Sequence, residues 1–143
     1  MHRVTLILVL TMTVLLGSSG VCWSADFQKG LDAVERGDYA TAVKEWTPLA
    51  EQGDAPAQVY LGQMYERGLG VSQDYKTAVK WYTLAAEQGL AIAQYNLGVM
   101  YDKGEGVPLN YTTALREWKP LAEQGDASAQ TNLGQMYDQG KVF

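Results

Sequence analysis

The chain carries 11 basic against 16 acidic side chains in 143 residues, a formal net charge of −5, and has a single His and a single Cys. This acidic balance argues against nucleic acid and against an anionic membrane surface as ligands, since both would repel it. The two residues best suited to nucleophilic or metal chemistry, His2 and Cys22, both fall within the first 24 positions.

Residues 1–24 read as a secretory signal peptide. Arg3 precedes an apolar run over residues 4–16 and a small polar stretch over 17–20. The run is 13 residues long, short of the roughly 20 that a membrane-spanning helix needs. Cys22 and Ser24 stand at the minus-three and minus-one positions for cleavage before Ala25, with an uncleaved anchor as the alternative. Cleavage predicts an exported protein, periplasmic or secreted, with no membrane span remaining. The mature chain would have 119 residues, ten of them basic and 16 acidic, and neither His nor Cys. That composition excludes Cys-His and Ser-His catalysis and His- or Cys-ligated zinc within the chain; a carboxylate-only site stays open, but Asp38, Asp74, Glu51, Glu87 and Glu123 recur at repeat positions as caps and solvated faces do, so no enzyme activity, cofactor or metal is expected. No disulfide is available either, and helix packing must supply the stability.

Residues 25–53 read as a pair of helices. The first spans 27–36 with Phe27, Leu31 and Val34 inward; Gly37 and Asp38 then turn the chain into a second helix at Tyr39. Residues 54–89 and 90–125 follow as two copies of one unit, and 126–143 begin a third. Gly53, Gly89 and Gly125 close the phrase A-E-Q-G at intervals of 36 residues; Gly62, Gly98 and Gly134 keep that interval, as do Tyr65, Tyr101 and Tyr137. A fixed period of this size marks a solenoid of stacked supersecondary units.

Within the unit, Ala93, Leu97, Met100 and Tyr101 follow i, i+4, i+7, i+8 and form one apolar helical stripe. Ala57, Leu61, Met64 and Tyr65 repeat it, as do Ala129, Leu133, Met136 and Tyr137. A glycine inside a helix costs about 1 kcal/mol relative to Ala, so Gly62, Gly98 and Gly134 predict a backbone-to-backbone approach too close for a Cβ. The phrase G-x-G-V at 68–71 and 104–107 ends the first helix. Asp38, Asp74 or Asn110 then caps a second helix, whose stripe in the middle unit is Tyr75, Ala78, Val79, Tyr82 and Ala86. Pro48 and Pro120 lie inside second helices, where each removes one hydrogen bond and should bend the axis, whereas Pro56 lies harmlessly in a first turn. After Gly140 only three residues follow, so the third unit has no second helix. Either the last helix serves as its own cap, or Leu133, Met136, Tyr137 and Phe143 form a docking edge for a partner or a second copy.

The pattern A-x-A-Q-x-x-L-G-x-M-Y-x-x-G-x-G-V-x-x-[DN]-Y-x-x-A-x-x-x-[WY]-x-x-x-A-E-Q-G resembles the Sel-one-like repeat (SLR), a longer relative of the tetratricopeptide repeat (TPR). Residues 25–53 resemble the TPR-like helix pair that leads into such arrays. The resemblance implies an all-α, right-handed α-solenoid of stacked antiparallel helix pairs, about seven helices in all, used as an adaptor or scaffold for protein complexes. Some secreted members are cysteine-rich and linked to β-lactam binding or hydrolysis. This chain departs from that branch, since it lacks their cysteines.

Comparing the units points to a binding face. While the packing positions hold steady, Val59/Tyr95/Thr131, Tyr60/Asn96/Asn132, Gln63/Val99/Gln135 and Arg67/Lys103/Gln139 change. In solenoids of this type the first helices line the concave side, so this face is expected to meet a protein or peptide partner, with Tyr60, Tyr95 and Asn96 as anchors. The competing reading is that these are unconstrained solvated positions. Trp81, which replaces Glu45 and Glu117 of the other units, is a further candidate as a lone exposed Trp, with local packing as its alternative. The expected function is an exported, non-enzymatic interaction module. The alternatives are an envelope hydrolase or β-lactam binder by family analogy, and a structural protein that self-associates through its C-terminal edge.

Overall fold

A computed structural model describes residues 24–142; the assigned signal, apart from Ser24, lies outside them, as does Phe143. Among the described residues there are seven α-helices and no strand. They are α1 Ala25–Glu35, α2 Tyr39–Glu51, α3 Ala55–Arg67, α4 Tyr75–Glu87, α5 Ala91–Lys103, α6 Tyr111–Glu123 and α7 Ala127–Asp138. Each packs against the next, which makes an all-α solenoid of helix pairs α1/α2, α3/α4 and α5/α6, with α7 opening a fourth level.

Helix starts follow from short polar side chains. Asp38, Asp54, Asn110 and Asp126 each accept the backbone N–H three residues on, at 2.7–3.2 Å, and Ser24 does the same for Phe27. Asp74 accepts from both Lys76 and Thr77. The hydrogen bonds from Thr41 and from Thr77 hold the carboxyls of Asp38 and Asp74 below the usual aspartate range. Helix α5 is the exception: Leu90 stands at its N-cap and offers no side-chain acceptor.

Helix ends follow from glycine. Gly68 and Gly104 adopt left-handed backbone at φ +67° and +70° and close α3 and α5. The second glycine of each G-x-G does different work. A Cβ on Gly70 would strike the backbone of Tyr39, and one on Gly106 the backbone of Tyr75, at the start of the preceding repeat's second helix. The close backbone approach expected at the interior helix glycines is therefore found in the loops instead.

At the interior positions the neighbour is an aromatic side chain. A Cβ on Gly30 would enter the Trp46 indole, one on Gly62 the Tyr82 ring, and one on Gly98 the Trp118 indole. The reason is geometric: the second helix presses a flat ring onto the first, and only a bare Cα leaves room beneath it. Gly134 differs, with nothing among the described residues within 4 Å of its Cβ direction.

Trp46, Tyr82 and Trp118 are buried, as are Ala42, Ala78 and Ala114 one turn before them, and all six recur at the repeat spacing. In α1 the inward residues are Phe27, Gly30 and Ala33, while Leu31 and Val34 are half-buried at the margin of the same cluster. The edge expected at α7 is smaller than its sequence suggests. Met136 is buried and Leu133 half-buried, while Tyr137 stays exposed.

Candidate functional site

The first helices of successive repeats meet in three layers, each built from a residue before the interior glycine, the ring above it, and a residue of the next first helix. The layers are Phe27, Trp46 and Tyr60; Val59, Tyr82 and Asn96; Tyr95, Trp118 and Asn132. In the first, the Trp46 indole N–H donates to the Phe27 carbonyl at 3.1 Å. The Tyr60 ring lies 4.7 Å from that of Trp46 and 5.6 Å from that of Phe27. In the third, the Trp118 indole N–H donates to the Tyr95 carbonyl at 3.0 Å and the rings lie 6.2 Å apart. The Asn132 amide donates to the Tyr95 hydroxyl at 3.3 Å.

The middle layer carries the smaller pair. Tyr82 replaces Trp and reaches past Val59 so that its hydroxyl donates to Glu66 Oε2 at 2.5 Å, with Asn96 hydrogen-bonded beside it. Burial first, and then the bond to Glu66, pushes the Tyr82 hydroxyl far above its ordinary value, so it stays protonated. Large rings at positions 27 and 95 accompany Trp, and Val59 accompanies Tyr. Part of the variation between units is thus packing compensation within the layer.

The expected anchors accordingly occupy three environments. Val59 is buried and Tyr60 belongs to the first aromatic cluster; with Gln63, Leu90 and Ile92 they line a shallow cavity of about 300 Å³ between α3 and α5. Asn96 is turned toward Tyr82, and Arg67 is exposed beyond either cavity. Tyr95, Val99, Lys103, Asn132 and Gln135 come together in a second cavity of about 270 Å³ between α5 and α7.

Trp81 corrects an expectation. It is 7% exposed and packed into the first core cluster with Ala50 and Leu61, the local packing alternative, and it lines a cavity of about 480 Å³ with Ala50, Glu51, Lys80 and Leu84. Its outer face lies under the Lys80 ammonium at 4.8 Å, and its indole N–H is buried with no acceptor among the described residues.

The α5/α7 cavity also contains Gln139, one of the varying positions, together with Asp102, Trp118 and Lys141, which the unit comparison did not single out. Asp102 occupies the repeat position of Glu66 and was open to that comparison. Lys141 takes the repeat position of Leu69 and Glu105, but its role depends on where the tail lies. Its ammonium meets Asp102 at 2.9 Å and sits 4.8 Å over the Tyr111 ring, which folds the tail against the groove rim. The groove therefore offers an aromatic floor, three side-chain amides and the exposed Lys103, a mixture suited to hydrogen-bonding an extended or helical backbone. Among the described residues no three His, Cys, Asp or Glu side chains cluster as metal ligands, and no helix is long and apolar enough to cross a membrane.

Three consecutive segments, residues 55–90, 91–126 and 127–143, match the Sel1 repeat. The chain belongs to the Sel1 repeat family. Repeats of this family commonly mediate protein–protein interaction and generally serve as non-catalytic scaffolds. No curated protein sequence matches the chain. Among solved structures, it is similar to a protective antigen of uropathogenic Escherichia coli with an SLR fold, at 38% identity and a TM-score of 0.77 over 81% of this chain. It is also similar to a Sel1 repeat protein of Oxalobacter formigenes, at 34% identity and a TM-score of 0.72 over 80% of this chain. This chain spans 26% of the first of those structures and 47% of the second. Cysteine-rich protein B of Helicobacter pylori, 19% identical with a TM-score of 0.59 over 80% of this chain and 98% of that one, shares the fold.

Proposed function

We propose that this Sel1 repeat chain is an exported, non-enzymatic adaptor that holds a protein or peptide partner in the groove between α5 and α7. The observation that carries the reading is the convergence of Tyr95, Val99, Lys103, Asn132 and Gln135 on one cavity. These positions differ between units, and they present amides and a cation above an aromatic floor. A preformed groove of this kind binds without large rearrangement and so keeps the ordering cost low. Export rests on residues 1–24, whose apolar run and small residues before Ala25 fit a cleaved signal.

The test separates binding from folding. Tyr95 braces Trp118, so its truncation would disturb both; Lys103 and Gln135 are exposed and brace nothing. The double variant Lys103→Ala, Gln135→Ala is expected to keep its melting temperature and lose a partner that the parent chain captures from native envelope extract. Capture of the same set of proteins by both chains would end the groove assignment.

A further inference from the structure

Helices α3 and α5 each carry one acid and one base, side by side at the C-terminal end: Glu66 with Arg67, and Asp102 with Lys103. In both pairs the acid is engaged and the base is not. Glu66 accepts from the Tyr82 hydroxyl, and Asp102 meets the Lys141 ammonium. Arg67 and Lys103 are exposed and form no ion pair with a described residue. A base in the last turn suits the helix dipole, yet of the seven helices only α3 and α5 have one. The first helices on either side, α1 and α7, end in Glu35 and Asp138, so the positive charge is confined to the middle of this face. The opposite end of the same two helices is apolar. There Pro56, Val59, Tyr60, Leu90 and Ile92, joined by Gln63, line the cavity of about 300 Å³, and Ile92 is 50% exposed.

We propose that the shared face of α3 and α5 reads an acidic segment of the partner protein, with an apolar side chain in the cavity beside Val59 and Ile92 and an Asp or Glu side chain paired with Arg67 or Lys103. This rests on the adaptor reading and names the chemistry of its partner. Val59, Gln63 and Arg67 follow i, i+4, i+8, and Ile92, Tyr95, Val99 and Lys103 follow i, i+3, i+7, i+11, so the apolar and basic ends of each helix share one face. From Ile92 to Lys103 is about 16 Å of helix, which an extended segment crosses in about five residues. Charge and apolar area together select the occupant. Residues 1–23 and 143, which lie outside the described structure, include no Asp or Glu and so have no acidic side chain to offer Arg67 and Lys103.

The probe is a random dodecapeptide library displayed through its C-terminus, so that only side chains supply carboxylates, and panned against the immobilised full chain. Enriched peptides are expected to carry Leu, Ile, Phe or Met about five positions from an Asp or Glu. A labelled, C-amidated peptide of that consensus should bind saturably by anisotropy, and Ala at either position should weaken it about tenfold or more. In the protein, Ile92→Glu should weaken binding as much. Arg67→Glu with Lys103→Glu should do the same, and should accept the peptide whose acid is replaced by Lys. All three side chains are exposed, so the variants should keep the melting temperature of the parent. Enrichment without an acidic position overturns the proposal, as does binding that survives the charge reversal. Such peptides, if lost on Gln135→Ala, would leave the α5/α7 groove standing, whereas a library with no saturable binder up to about 1 mM overturns both readings. A dimer in light scattering that the charge reversal dissociates also overturns the proposal, in favour of a second copy.

Discussion

Gly98 and Gly134 occupy the same position of consecutive repeats in opposite surroundings. Above Gly98 lies the Trp118 indole; above Gly134 none of the described residues comes within 4 Å. The pair shows that an interior helix glycine is not stabilising in itself. It costs about 1 kcal/mol of helix propensity relative to Ala, and that cost is offset only where a ring from the next helix uses the space. The same residue is a packing requirement in one repeat and a vacancy in the next.

The sharpest way to test this contrast is to remove the ring. Trp118→Ala should cost about 3–5 kcal/mol in urea unfolding, from lost transfer energy and the cavity left behind. Tyr137→Ala on the open face should change stability by about 0.5 kcal/mol or less. Comparable losses would mean that α7 is covered in solution.

Filling the glycines should give the next largest difference. Gly98→Val forces the Trp118 ring off its seat and should destabilise by about 1–3 kcal/mol or more. Gly134→Val meets nothing and should be neutral or slightly stabilising, since Val is the better helix former. Thermal melts of the two variants side by side would show whether the vacancy is real.

A smaller effect is expected at the middle layer. Tyr82→Phe keeps the ring over Gly62 and removes only the hydroxyl bond to Glu66, so the loss should be about 1 kcal/mol. A loss as large as that of Trp118→Ala would mean that the hydroxyl, rather than the ring, holds this layer.

The smallest effect concerns the caps. The folded state holds the Asp38 and Asp74 carboxyls below their ordinary values, so their contribution is fully present above the ordinary aspartate range and is lost as pH falls through the depressed folded values. Asp38→Asn with Asp74→Asn should therefore flatten the acid limb of the stability-versus-pH curve and leave the neutral plateau little changed, since Asn also caps well. An unchanged acid limb would place the acid sensitivity elsewhere.

The sequence-based face assignment illustrates why sites are harder to read than folds. Position 27/59/95 and position 60/96/132 vary between units partly because each layer has to fit its own ring, Trp46, Tyr82 or Trp118. A partner-selecting position and a packing-compensating position look alike when three units are compared. Trp81 shows the same ambiguity from the other direction: a Trp where other units carry Glu reads as either exposed or locally packed, and it packs into the first core cluster. Lys141 varies from Leu69 and Glu105 at its repeat position, but that variation alone does not reveal its place at the groove rim, which depends on the tail folding back to Asp102.

Local and periodic features were determined by the sequence alone: the seven helices, their Asp and Asn caps, the G-x-G stops and the steady apolar stripes. Each depends on interactions within a few residues or on a spacing that repeats. The tertiary structure decided what lies across each interface: aromatic rings over Gly30, Gly62 and Gly98, backbone over Gly70 and Gly106, and no described residue over Gly134. Those outcomes depend on which side chain a neighbouring helix supplies at that height. No spacing within one helix encodes that choice.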